Sequence, residues 1–200
     1  MRITGYWFLD TPEVWEPPAA LLDFLESGPP PVFVGFGSMT GRHMGEVTRL
    51  VLAALARSGE RGLLLSGWGG LGREDLPERV HVIDSAPFAW LFPRMAAVVH
   101  HGGAGTTGAG LRAGVPSVVV PFFGDQFFWG WRVEVLGGGP KPIPFKSLSV
   151  ESLATAIRES VANQEMRRRA WDLGQRIRAV DGVTNAVRII AEYGAGVPSP

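Results

Sequence analysis

From residue 31 the chain alternates short, near-continuous apolar runs with longer stretches whose apolar positions recur at helical spacing. Apolar runs at 32–36, 63–66, 80–83, 97–100 and 117–120, with a weaker one at 141–143, predict strands. Between them, 44–57, 86–94, 104–113 and 127–136 read as helices. Strands that are apolar at consecutive positions are covered on both faces, so the pattern predicts an α/β fold with a parallel sheet and crossover helices. Three further helical segments (150–163, 165–180 and 182–193) follow with no more strand signal.

Residues 1–30 carry Arg2 against Asp10, Glu13, Glu16, Asp23 and Glu26, with prolines at 12, 17, 18, 29 and 30. That composition reads as an interdomain connector ahead of a domain spanning 31–193, with 194–200 a frayed tail. The apolar opening from Ile3 to Leu9 should pack on something, and a preceding domain is expected.

Composition narrows the function classes. The 19 basic and 19 acidic side chains cancel, so no global field favours nucleic acid or an anionic membrane. The absence of cysteine removes disulfides, zinc–thiolate sites and thiol nucleophiles. The longest strictly apolar run, 50–56, falls far short of the ~18 residues of a membrane span, and the N-terminus lacks an apolar signal core. The chain is therefore read as cytoplasmic, with no stable membrane insertion. No two carboxylates stand as D-x-D, and His43 and His81 lie apart from any cluster, so no metal site is expected.

The densest chemical signal is Val98-Val99-His100-His101-Gly102-Gly103-Ala104-Gly105-Thr106-Thr107-Gly108, a strand running into a glycine-rich loop and a helix. At the carboxyl edge of a parallel sheet, such a helix start offers unpaired amides to a phosphate. Thr106 and Thr107 could add hydroxyl donors and His101 a ring N–H. His100 points to the opposite face by strand alternation and reads as a core histidine. Ser38, in the loop after the first strand, is a second phosphate donor. Asp125 and Gln126, directly after the fifth strand, place a carboxylate and an amide side by side for sugar hydroxyls, although Asp125 could instead cap the next helix. Trp68, Ser85 and Phe88 are candidate contacts to a base or to the cleft. Trp90, Trp129, Trp131 and Trp171 read as core or interface, and Arg167–Arg169 as a solvated face balanced by Glu165 and Asp172. Residues 103–108 also satisfy G-x-G-x-x-G, but after the fourth strand instead of the first, which weakens a dinucleotide reading.

The run from His100 to Thr107, with Gly110-Leu111-Arg112-Ala113-Gly114-Val115-Pro116 and Pro121-Phe122-Phe123-Gly124-Asp125-Gln126, closely resembles the donor-binding signature of UDP-glycosyltransferases. The likeness is greatest to the sterol 3-beta-glucosyltransferase branch and bacterial relatives. It implies a Rossmann-like domain, the C-terminal half of a GT-B fold, with the acceptor bound by an N-terminal partner domain. It further implies that His101 binds the pyrophosphate, that Gly103, Ala104, Gly105 and Thr106 form the phosphate loop, that Ser38 reaches the phosphates, and that Asp125 and Gln126 read the sugar. Phe88 stands where the pattern has His, and Phe127 where it has Pro.

The expected function is donor binding in an inverting, metal-independent hexosyltransferase acting on a lipophilic or sterol-like alcohol. UDP-glucose is the first donor and a TDP-sugar the alternative; no cofactor is expected. The chain by itself should bind the donor without turning it over, the acceptor base lying in the N-terminal domain. A noncatalytic nucleotide-binding or partner subunit of the same fold is the rival, and a dinucleotide-binding oxidoreductase domain the third reading.

Overall fold

A computed structural model describes residues 2–8, 15–37, 44–66 and 76–195. Its centre is a five-stranded sheet built from β1 (Val32–Gly35), β2 (Gly62–Leu65), β3 (Val80–Ile83), β4 (Ala97–His100) and β5 (Ser117–Val119). The strands lie in the order β3-β2-β1-β4-β5, and every pairing is parallel. The predicted α/β architecture is the one observed.

Alternate residues of the strands enter two different cores. Val32, Val34, Ala97, Val99, Val118 and Val120 face α2 (Met44–Ser58) and α6 (Val150–Ala162), which contribute Val51, Leu55, Leu153 and Ile157. Phe33, Leu63, Ile83 and Val98 face the other way, onto α1 (Ala19–Glu26), α3 (Phe88–Leu91) and the 3-10 turn Phe92–Arg94. A third cluster joins Leu111 of α4 (Ala104–Ala113), Val119, and Val133 of α5 (Gln126–Val135), with Leu173 and Ile177 of α7 (Gln164–Arg178) packed on it. A sheet buried on both faces has no polar side, which is why its strands read as continuous apolar runs.

Three expectations need correction. Residues 141–143 form no strand; only the Ile143 N–H reaches the β5 edge, donating to the Val119 carbonyl at 2.9 Å, and Pro142 has no N–H to offer. The predicted helix 86–94 is one turn of α-helix followed by a 3-10 turn, with Pro93 inside the latter. The proline-rich opening segment contains α1, whose Leu21 and Phe24 are core residues.

Arg61 fastens α1 to the sheet. Its guanidinium donates to the carbonyls of Pro29 at 2.7 Å and of Phe24, and to Ser27 Oγ at 2.8 Å, and it lies 4.2 Å over the Phe24 ring. Only 7% of Arg61 is exposed. Each carbonyl deserted in Arg61→Ala costs about 1–3 kcal/mol, so a chemical melt should show a lower midpoint with an unchanged m-value. A midpoint equal to that of the parent would deny Arg61 this role.

Residues 2–8 also lie on the domain. Asn185 Nδ2, on α8 (Gly182–Ala195), donates to the Thr4 carbonyl at 3.1 Å. The Tyr6 ring rests on Gly108 of α4, where a Cβ would come within 2.6 Å of Tyr6 Cε1, and Arg112 sits 4.6 Å over the Phe8 ring. No helix among the described residues is long and apolar enough to cross a membrane.

Candidate functional site

The strand register brings three loops together at one edge of the sheet. Gly35 pairs with His100, and His100 with Val119. The loops following β1, β4 and β5 therefore emerge side by side, with Gly37 and Gln126 flanking the β4 loop 101–103.

His100 is wholly buried. Its Nδ1 accepts the Gly102 N–H at 3.0 Å, which assigns the ring proton to Nε2. Burial, helped by the neighbouring His101, drops its pKa to about 3, so the ring is neutral at physiological pH. Gly102 has φ +90, a conformation that side chains resist, and a Cβ there would meet Val119 Cγ1 at 2.7 Å and the Gln126 carbonyl at 3.0 Å. His100 and Gly102 thus set the turn that presents His101 at the sheet edge.

The His101 ring lies half-buried between two glycines. A Cβ on Gly37 would fall 3.3 Å from its Cε1, and one on Gly103 would fall 2.5 Å from its Nε2. Nδ1 is buried without a hydrogen-bond partner. Burial lowers the His101 pKa and the Asp125 carboxylate opposes that shift, which puts the two groups within electrostatic reach across the edge.

Gly103 is the N-cap of α4, and no side chain caps this helix. The amides of Ala104, Gly105 and Thr106 therefore face the edge beside His101 with no acceptor from their own helix, at the positive end of its dipole. Thr107 departs from expectation. It is fully buried and its Oγ1 donates to the Gly103 carbonyl at 2.9 Å, so it steadies the first turn and does not reach a ligand.

The expected pair after β5 does not stand side by side. Asp125 is exposed at the N-cap position of α5 and its side chain makes no capping hydrogen bond, which removes side-chain capping as its explanation. Gln126 turns inward, 4% exposed, and its Oε1 accepts the N–H groups of Phe122 at 2.8 Å and Phe123 at 3.3 Å. The amide oxygen thereby braces the loop from which Asp125 projects.

Ser85, exposed just after β3, lies two strands beyond β1, roughly 10 Å further along the same edge. Phe88, at the start of α3, is half-buried. Its ring stacks on Phe92 at 4.3 Å and meets Phe33 edge-on at 5.7 Å, as part of the core beneath the sheet. Ser38 and Trp68 lie outside the described residues. Trp131 and Trp171 are about half exposed and so do not belong to the core. Arg168 and Arg169 pair with Glu165, and Arg168 also with Asp172, on the α7 surface as expected. Among the described residues, no group of three or more His, Asp or Glu side chains could hold a metal ion.

Taken together, the parallel sheet and the anion-ready edge define a Rossmann-like α/β domain of the GT-B kind. Residues 69–193 match the family described as erythromycin biosynthesis protein CIII-like, C-terminal domain. The chain belongs to that family and is a C-terminal domain of the UDP-glycosyltransferase type. A sterol 3-beta-glucosyltransferase of Arabidopsis thaliana is 44% identical over 192 residues, covering 96% of this chain and 30% of that protein. One from Aspergillus fumigatus is 45% identical over 202 residues, covering 95% of this chain and 14% of that protein. Neither of these two relatives is bacterial. The crystal structure of the kitacinnamycin glycotransferase superposes with a TM-score of 0.73 at 26% identity, over 92% of this chain and 47% of that one. The chain thus spans less than a third of the length of these two curated relatives.

Proposed function

We propose that this chain is the donor-binding half of an inverting glycosyltransferase that holds a UDP-hexose, UDP-glucose first, for transfer to a sterol-like alcohol. The reading rests on one juxtaposition: His101 and the uncapped first turn of α4 lie beside the exposed carboxylate of Asp125. The first two suit a diphosphate and the third suits sugar hydroxyls. The sterol class of acceptor follows from the names of the relatives.

In the proposed reaction the acceptor oxygen bonds to the anomeric carbon while the bond from that carbon to the β-phosphate oxygen breaks, with inversion. The electron pair leaves on UDP, and the acceptor proton passes to a base on the preceding domain. The role of this chain is to hold the growing diphosphate charge. The amides of residues 104–106 and the His101 ring are preorganised for it and need no rearrangement as the bond breaks. Because these groups already supply the positive end, the proposed site works without a metal ion.

Calorimetric titration with UDP, TDP and NAD, each with and without EDTA, tests the proposal. UDP should bind with an affinity that EDTA does not change, and NAD should not bind. Loss of UDP binding on chelation would overturn the metal-independent part, and preferential NAD binding would overturn the donor assignment.

A further inference from the structure

The Asp125 carboxylate is not free to wander. Trp129, one helical turn later on α5, donates its indole Nε1–H to Asp125 Oδ2 at 3.1 Å, leaving Oδ1 for a ligand. The indole is itself held: its ring lies 6.2 Å from Tyr6 at 41° and 5.2 Å from Phe128 at 74°. Tyr6 in turn stacks on Phe8 at 5.3 Å and is seated on Gly108 of α4. A continuous line of contacts therefore runs from the helix that starts at the anion site, through Tyr6 and Trp129, to the carboxylate at the sugar end.

We infer that Trp129 is a positioning residue that fixes the Asp125 carboxylate for the hexose of the donor. The inference rests on the reading of Asp125 as a sugar contact proposed above. An aspartate on an exposed helix surface loses rotamer freedom when it grips a ligand. One oxygen already tied to a rigid indole leaves less freedom to lose, and the other remains an acceptor for sugar hydroxyls. Tryptophan suits this place because a single side chain offers both a donor at the i+4 reach and a flat face for Tyr6.

The test compares UDP and UDP-glucose binding to the 200-residue chain, Trp129→Phe, Asp125→Ala and the double variant. Trp129→Phe keeps an aromatic ring facing Tyr6 while removing the N–H together with part of the indole's area. It should weaken UDP-glucose about 2- to 12-fold and leave UDP unchanged, and the double variant should bind UDP-glucose no more weakly than Asp125→Ala. An equal loss for both ligands in Trp129→Phe would reduce the indole to packing, and no loss for either would dismiss the positioning role; both outcomes overturn the inference alone. If Asp125→Ala itself fails to separate the two ligands, the sugar assignment falls and the inference with it. A readout on the parent protein stands apart from any variant's folding: the indole N–H resonance of Trp129 should shift more on saturation with UDP-glucose than with UDP. Equal shifts would count against the inference.

Discussion

Replacing His101 by alanine should weaken UDP binding roughly 10- to 150-fold, the loss that follows from removing one hydrogen bond of ~1.5–3 kcal/mol to a charged group. The ring is held between Gly37 and Gly103, beside the uncapped start of α4. His100→Ala should act differently. It removes the acceptor for the Gly102 N–H and lowers the melting temperature, with a much smaller effect on affinity. Equal binding losses from the two would reverse the assignment of the histidines.

The two rings also make a pH prediction of opposite sign for binding and for stability. Burial lowers the His101 pKa in the free protein, and a bound diphosphate favours the protonated ring. The complex then takes up a proton, so UDP-glucose affinity should rise as pH falls from 7 towards 5. His101→Ala should flatten that rise. His100, held at about 3 in the fold against 6.5 in its absence, binds its proton more readily when the chain is unfolded. Its contribution to stability is therefore complete above about pH 6.5 and is lost as pH falls towards 3.

The sheet was legible because its strands are buried on both faces, so that Ala97-Val98-Val99-His100 carries its signal in consecutive residues and needs no partner to be recognised. The glycine loop behind it was legible for a related reason: a helix start at a strand's carboxyl end is a local feature of the chain. What escaped depends on which way a side chain turns after the backbone is set. Gln126 follows Asp125 directly, and nothing in the sequence says that its amide oxygen will serve the N–H groups of residues 122 and 123. Thr107 was lost in the same way, to the Gly103 carbonyl four residues back.

Long-range contacts escaped as well. Phe88 joins Phe33 across more than fifty residues of chain, and Tyr6 reaches Trp129 across more than a hundred. The spacing of Asp125 and Trp129 was visible as i, i+4, but an indole in an apolar helix reads as packing until its N–H is seen to have a partner. Residues 141–143 failed for a backbone reason. Their apolarity suggested a sixth strand, yet the prolines at 140, 142 and 144 leave few N–H groups for a ladder.

Asp125→Ala should separate the two halves of the donor. The carboxylate is exposed at the edge with one oxygen tied to Trp129, while the proposed diphosphate site uses other groups: His101 and the first turn of α4. A charged acceptor on sugar hydroxyls contributes about 1.5–3 kcal/mol, so UDP-glucose affinity should fall roughly 10- to 150-fold while UDP affinity changes little. A capping role would predict a stability loss with both ligands affected alike, and the side chain makes no capping bond. Asp125→Asn refines the result. It keeps the size and an acceptor oxygen but loses the charge, and should fall between the parent and alanine for UDP-glucose. Calorimetry of both nucleotides against the three proteins decides the matter. A parallel loss for UDP and UDP-glucose would move Asp125 out of the sugar site, and no loss for either would leave the β5 loop without a part in donor binding.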